Sequence, residues 1–228
     1  MLKLDIFKKI LSLGFPTALQ MLFEVAIFTG TIILAGNLGT NPQAANQIAL
    51  NLASMTFMIA VGLGVTATIR EGNQVGLKHY KELRRVAFSI FLLVFLIEAI
   101  FAVLFILLKD ILPTFYIDNL EVIGLAAQLL IVAALFQLSD GMQVVILGAL
   151  RGLQDVKMPT LICFISYWVI GFPVSFYFGR QEQLGSMGIW LGLMAGLTSS
   201  ALLLYFRFNY LSKKLIRSKQ QKLEYGTT

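Results

Sequence analysis

The segment that decides the fold is LGFPTALQMLFEVAIFTGTIILAGN, residues 13–37, in which Glu24 is the only charged side chain. A second apolar stretch, residues 122–150, carries Asp140 as its only charge. An apolar run of about 20 residues can cross the hydrocarbon core of a bilayer as a helix. A charge at the centre of such a helix costs on the order of 2.5–3.5 kcal/mol, so Glu24 and Asp140 are candidate functional residues inside a membrane.

The composition of the whole chain points to the same setting. Hydrophobic residues make up 57% of the 228 residues, charged residues only 13%, and the mean hydropathy is +0.80. This exceeds what a soluble domain of this size buries. We therefore predict an all-α membrane protein with six transmembrane helices, because only helices satisfy their backbone groups within runs this long. The predicted spans are 13–37, 43–69, 86–108, 122–150, 159–178 and 188–206.

These spans divide the chain into an amphipathic lead at 1–12, a six-helix lobe at 13–210 and a basic tail at 211–228. With both termini on one side of the membrane, that side carries 16 of the 18 Lys and Arg residues, and the other side carries only Lys109 and Arg180. Positive charge accumulates in cytoplasmic connections. We expect a multi-pass protein of the plasma membrane with both termini in the cytoplasm. The net charge of +6 is then a topology signal, and no nucleic-acid partner is predicted.

Polar residues follow one face of three of the predicted helices, at about 100° per residue. Glu24 has Gln20 one turn before it, and Asp140 is flanked by Gln137 and Gln143. Gln47 and Asn51 are spaced i, i+4 in the second span. Such stripes are typical of the walls of a water-filled cavity. We predict Glu24 and Asp140 as the cation-binding pair, and as lining residues Gln20, Gln47, Asn51, Gln137 and Gln143.

The alternative is that these polar groups only join helix to helix. A hydrogen bond between membrane helices is worth about 0.6 kcal/mol on average, which suffices for amides but not for the two acids. A third acid, Glu98, has no polar companion on its own helix, and the sequence leaves open whether it stays protonated against a neighbour or takes part in transport. No metal cluster, catalytic triad or phosphate-binding glycine loop is recognisable, so we predict neither an enzyme nor a cofactor.

Three stretches resemble the multidrug and toxic compound extrusion (MATE) family, of the NorM-like type. They are LSLGFPTALQMLFEVAIF, AANQIALNLASMTFMIAVGLGVTATIREGNQVG and LFQLSDGMQVVILGALRGLQDVKMP. The resemblance is to the carboxy-terminal six-helix lobe. It places Glu24 at the family's cation-coordinating glutamate and Asp140 at its partner aspartate. It also assigns Arg151, Gly152, Asp155 and Pro159 to a cytoplasmic signature, in which we expect Asp155 to cap the next helix.

The resemblance implies a secondary transporter that exchanges Na⁺ or H⁺ for organic cations or drugs, with no organic cofactor. It also implies a second six-helix lobe as partner, supplied by a separate chain, a second copy or a longer protein. Two alternatives remain: a lipid-linked oligosaccharide flippase of the same superfamily, and a membrane assembly subunit that transports nothing. A flippase cavity should carry Arg or Lys for its anionic cargo, and no basic residue lies in the central part of a predicted span.

Overall fold

The structure is a computed structural model that describes residues 4–181 and 184–224. It contains six helices long and apolar enough to cross a membrane, so the predicted fold class is confirmed. The helices are α1 (Leu4–Gly36), α2 (Thr40–Gly76), α3 (Tyr80–Leu107), α4 (Leu120–Gly152), a fifth span built from α5 (Lys157–Phe164) and α6 (Phe172–Gly179), and α7 (Gly185–Glu224). A 3₁₀ turn, Leu112–Phe115, lies between α3 and α4.

The helices extend beyond the spans predicted from hydropathy. From Leu4 onward the predicted lead is the start of α1, and the predicted tail continues α7 as far as Glu224. Residues 1–3 and 225–228 lie outside the described residues. The boundaries at 12 and 210 stay predictions, since neither coincides with a helix end.

Helices α2 and α4 pack backbone to backbone along one row of small residues. The row on α2 is largely alanine and glycine, and includes Ala60 and Gly64. A Cβ on Gly148 of α4 would collide with the carbonyl of Gly64. The hydroxyl of Thr68 donates to the carbonyl oxygens of both Gly148, at 2.9 Å, and Gly64, at 3.0 Å. Small residues allow this approach, which replaces the hydrophobic driving force that lipid does not supply.

The fifth span contains a π-helical segment, Ile165–Gly171, between α5 and α6. Gly171 allows close contact with α7, because a Cβ there would lie 3.2 Å from the Cα of Gly196. Tyr167, in the same segment, is buried and accepts a hydrogen bond from Nε2 of Gln143 on α4. π-Helical turns are rare and often occur at functional sites, and this one directs Tyr167 toward the centre of the lobe.

Asp155 does not cap the helix that follows it, contrary to the expectation from the signature. The N-cap of α5 is Val156, and no side-chain cap bond is present there. The Asp155 carboxylate instead accepts hydrogen bonds from Nε and Nη2 of Arg207, at 2.8 and 3.3 Å. Asp155 thus fixes the α4–α5 connection to α7 through a two-point ion pair.

Replacing Gly148 with Ala should destabilise the lobe. The added Cβ collides with the backbone of Gly64, and overpacking of a tight contact typically costs about 1–3 kcal/mol. We expect a lower midpoint in a thermal unfolding assay of the detergent-solubilised chain. Gly124→Ala is the matched control on the same helix, because no described atom lies within 4 Å of a Cβ there. Equal midpoints for the two variants would contradict the packing argument.

Candidate functional site

A cavity of about 520 Å³ lies between α1, α2 and α4. Its α4 wall is a single stripe with i, i+4 and i+3 spacing: Phe136, Asp140, Val144, Leu147 and Arg151. Glu24 and Gln20 face it from α1, and Gln47 and Asn51 face it from α2. The structure therefore brings the two predicted acids to one cavity, together with three of the five predicted lining amides.

Glu24 is connected to a basic residue through Gln20. Nη2 of Arg151 donates to Oε1 of Gln20 at 2.8 Å, and Nε2 of Gln20 donates to Oε2 of Glu24 at 3.5 Å. Arg151 and Glu24 also attract each other electrostatically. The two ends of one amide thus join a cation on α4 to an anion on α1, and Arg151 offsets part of the negative charge of the cavity.

Asp140 lies at the cavity wall but is largely withdrawn from its surface. It is 5% exposed, and its Oδ1 accepts no hydrogen bond from any described residue. Glu24 and Glu98 are both close enough to repel its carboxylate electrostatically. An unpartnered carboxylate in apolar surroundings is stabilised by a proton or by a cation, so this position can bind either one.

The amides on α2 lie on the other wall of the cavity. Gln47 and Asn51 are both exposed. Oδ1 of Asn51 accepts a hydrogen bond of 2.8 Å from the hydroxyl of Tyr116, just after the 3₁₀ turn that precedes α4. This hydrogen bond fixes the α3–α4 connection to the α2 wall. The exposed Gln47 side chain remains available to contact a ligand in the cavity.

Gln137 and Gln143, which we expected to line the cavity, are not among its lining residues, and a role for them in binding substrate stays a prediction. Gln137 is 2% exposed, accepts from the hydroxyl of Thr56 at 3.0 Å and donates to the backbone oxygen of Glu98 at 3.2 Å. Gln143 is fully buried and donates to Tyr167. Residues at i±3 from Asp140 are rotated by about 60° to either side, whereas the lining stripe stays within about 40°. Both amides therefore lie behind the wall, where they join α4 to its neighbours.

Two functional candidates escaped the sequence reasoning. Arg151 was assigned to a connection, although 11 residues from Asp140 is about three turns and therefore the same helix face. Because Arg151 lies on this face, a basic residue does reach the cavity. Glu71 lies beyond the second predicted span, yet it is fully buried near the C-terminal end of α2, against Gly152. Neither of its carboxylate oxygens has a hydrogen-bond partner among the described residues. The sequence does carry a signal for this burial, because Glu71 continues the row of small residues on α2.

No group of three or more His, Cys, Asp and Glu side chains that could hold a metal ion occurs within residues 4–181 and 184–224. A six-helix membrane lobe with two acids in the cavity between three of its helices defines the class: a multi-pass membrane protein with ionisable side chains inside its membrane-spanning region.

Comparison with known proteins identifies the family. The MatE family model matches residues 16–177, and this chain belongs to that family. It is 38% identical over 208 residues to the probable multidrug resistance protein NorM of Xylella fastidiosa strain Temecula1, covering 91% of this chain and 44% of that protein. It is 36% identical over 222 residues to the multidrug resistance protein MdtK of Proteus mirabilis, covering 93% and 49%. Members of the family are transporters and not enzymes, and they need no cofactor.

Solved structures agree with the fold. A crystal structure of MATE in the straight conformation superposes with a TM-score of 0.88 over 95% of this chain and 49% of that chain, at 16% identity. The eukaryotic MATE transporter AtDTX14 gives a TM-score of 0.83 over 94% and 50%, at 18% identity. The chain thus spans about half the length of the relatives and structures that it matches, as one lobe would.

Arg151→Met should strengthen the binding of a fluorescent organic cation to the membrane-embedded chain. The substitution removes a positive charge from the cavity wall and releases Gln20 and Glu24 from it. We expect affinity to rise about three- to tenfold, which corresponds to about 0.7–1.4 kcal/mol. Arg70→Met, at an exposed position off the cavity wall, is the control and should change nothing. Unchanged or weaker binding by Arg151→Met would show that Arg151 does not offset the acids.

Proposed function

We propose that this chain is one lobe of an efflux antiporter, which expels organic cations or drugs from the cell in exchange for Na⁺ or H⁺. The observation that carries the proposal is the placement of Glu24 and Asp140 on facing walls of one cavity within the membrane. Glu24 and Asp140 would hold either the coupling cation or the organic cation, and not both fully. Competition for the same negative charge is then what couples the two movements.

The remaining cavity wall fits a substrate with a large apolar body. Phe28 of α1, Phe57 of α2 and Phe136 of α4 all line it, together with flexible side chains such as Met21 and Met58. Apolar walls with few directional contacts accept varied ligands, and methionine adapts to irregular shapes. This supports a range of organic cations as substrates, as do the names of the NorM and MdtK relatives.

The flippase alternative is not favoured, even though a basic residue does reach the cavity. The Arg151 guanidinium is engaged by Gln20, and two acids share the same cavity. A polyanionic cargo would meet net repulsion there. A membrane assembly subunit that transports nothing would have no need of two acids on one cavity, at the insertion cost of each.

A second six-helix lobe would complete the transporter. The chain covers 44% and 49% of the NorM and MdtK relatives. Alternating access in transporters built from repeats comes from one body rocking against another around a central site. The second lobe could be part of a longer protein, a separate chain or a second copy of this one.

The acids should be essential for coupled efflux. Glu24→Gln and Asp140→Asn keep the shape of each side chain but delete the negative charge that attracts the cation. We expect each to abolish ion-driven efflux of a fluorescent organic cation from vesicles that contain the chain together with its complementary lobe. Glu82→Gln, at an exposed acid paired with Arg85, is the matched control and should retain efflux.

The same assay contains two further arms. The chain reconstituted as a monomer without a second lobe should give no efflux, because it has no second body to move against. Full efflux by the Glu24→Gln, Asp140→Asn double variant would overturn the proposed site, and efflux by the monomer would overturn the need for a second lobe.

The proposed orientation places both termini in the cytoplasm and can be tested by labelling. Cys163 is buried, so the unmodified chain should react poorly with a membrane-impermeant maleimide. A cysteine at the exposed Asp118, between α3 and α4, should be labelled from outside intact cells. A cysteine at the exposed Lys81, at the start of α3, should be labelled only after the cells are opened. The reverse pattern would invert the topology.

A further inference from the structure

Glu98 is a buried carboxyl group that the proposed transport site does not use. It lies in the middle of α3 and is 1% exposed, and neither of its carboxyl oxygens has a hydrogen-bond partner among the described residues. It does not line the cavity. An ionised carboxylate without partners in an apolar interior is far less stable than the neutral acid.

The sequence makes room for Glu98 beside Asp140. A Cβ on Gly141 would lie 2.8 Å from Cγ of Glu98 and 3.1 Å from its Oε1, so a side chain at this position would force the Glu98 carboxyl to shift away from α4. Gly141 directly follows Asp140. Gln137 holds α3 in this position by donating to the backbone oxygen of Glu98, while Thr56 of α2 donates to Gln137. The approach of Glu98 to Asp140 is therefore fixed by three helices.

The charged groups around Glu98 are acidic. On α4, Asp140 directly precedes Gly141, against which Glu98 packs, and both Glu98 and Glu24 of α1 repel the Asp140 carboxylate when they are ionised. On α2 the acid Glu71 lies against Gly152, 11 residues from Gly141 and so about 16 Å away along α4. On α7 the base Arg207 is paired with Asp155. No salt bridge to Glu98 occurs among the described residues.

Two neighbouring carboxyl groups in a medium of low dielectric constant cannot both carry a full negative charge, so one of them retains a proton. Asp140 borders the cavity, where water or a cation can reach it, and Glu98 does not. We propose that Glu98 is a buried proton-binding site: it keeps a proton while the cavity is empty, and this leaves the negative charge on Asp140, where a cation can use it. The role of Asp140 in this statement rests on the proposed function, whereas the proton on Glu98 does not.

Infrared spectroscopy of the chain in lipid at neutral pH tests where the proton lies. Labelling glutamate with carboxyl ¹³C should shift a carbonyl band of a protonated acid, and Glu98→Gln should remove part of that band. The Glu82→Gln control, at an exposed acid, should leave it intact. A band that shifts with labelled aspartate and disappears in Asp140→Asn would overturn the proposal, because Asp140 would then carry the proton. The labelling arm needs no variant: absence of any glutamate band would overturn the proposal even if Glu98→Gln fails to fold. Glu71→Gln identifies the contribution of the other glutamate that is buried without hydrogen-bond partners among the described residues, and the band should persist in that variant.

Cation binding gives a second readout. Glutamine mimics a protonated glutamate, so Glu98→Gln should bind a fluorescent organic cation within about twofold of the unmodified chain, while Asp140→Asn should bind it at least about tenfold more weakly. A loss in Glu98→Gln as large as that in Asp140→Asn would make Glu98 a direct ligand and overturn the proposal. Absence of cation binding in the unmodified chain would instead refute the proposed transport function, and the infrared result would still decide the proton on Glu98.

Discussion

The close contact between the backbones of α2 and α4 is the interaction on which the rest of the lobe depends. Gly148 leaves room for the Gly64 carbonyl, Gly152 leaves room for that of Thr68, and the Thr68 hydroxyl bonds across the same seam. Lipid supplies no hydrophobic force between helices, so the two helices are held together by van der Waals packing and hydrogen bonds between closely spaced backbones. This packing holds α2 and α4 together as two adjoining walls of the cavity. Asp140 lies on the α4 wall and Asn51 on the α2 wall.

Helix α1 is held to that wall partly by polar contacts, and these include the candidate site itself. Arg151 donates to Gln20, which donates to Glu24, and the hydroxyl of Thr160 on α5 donates to the backbone oxygen of Pro16 at 2.8 Å. The charge on Glu24 therefore bears on the side-chain bridge between α1 and α4 as well as on the cavity. A cation bound at Glu24, as proposed above, would compete with Gln20 and, through it, with Arg151. Ligand binding and the position of α1 would then be linked.

The sequence was sufficient for the fold class, because hydropathy counts membrane helices directly. It also singled out the two acids that line the cavity, because a lone charge in an apolar run is conspicuous, and their role as a cation site stays a prediction. The sequence was insufficient where the rotation of a helix decides which side chains face the cavity. Gln137 and Gln143 flank Asp140 in the sequence but are rotated off the cavity, whereas Arg151, three turns away, lies on it. Span limits set by hydropathy also stopped short of Glu71, although it continues the row of small residues on α2 and is buried against Gly152.

The cavity also constrains what must surround this lobe in a membrane. Its described lining comes from α1, α2 and α4, and Gln47, Asn51 and Ser54 are exposed there, in the same cavity as two acids. Carboxylates and a free amide such as that of Gln47 are not stable against lipid tails, since each unsatisfied polar group costs several kcal/mol there. Water or protein must therefore cover this face. Water alone would leave an aqueous cleft open to lipid along its side, so this cavity supports the proposed second lobe as the protein surface that would cover it.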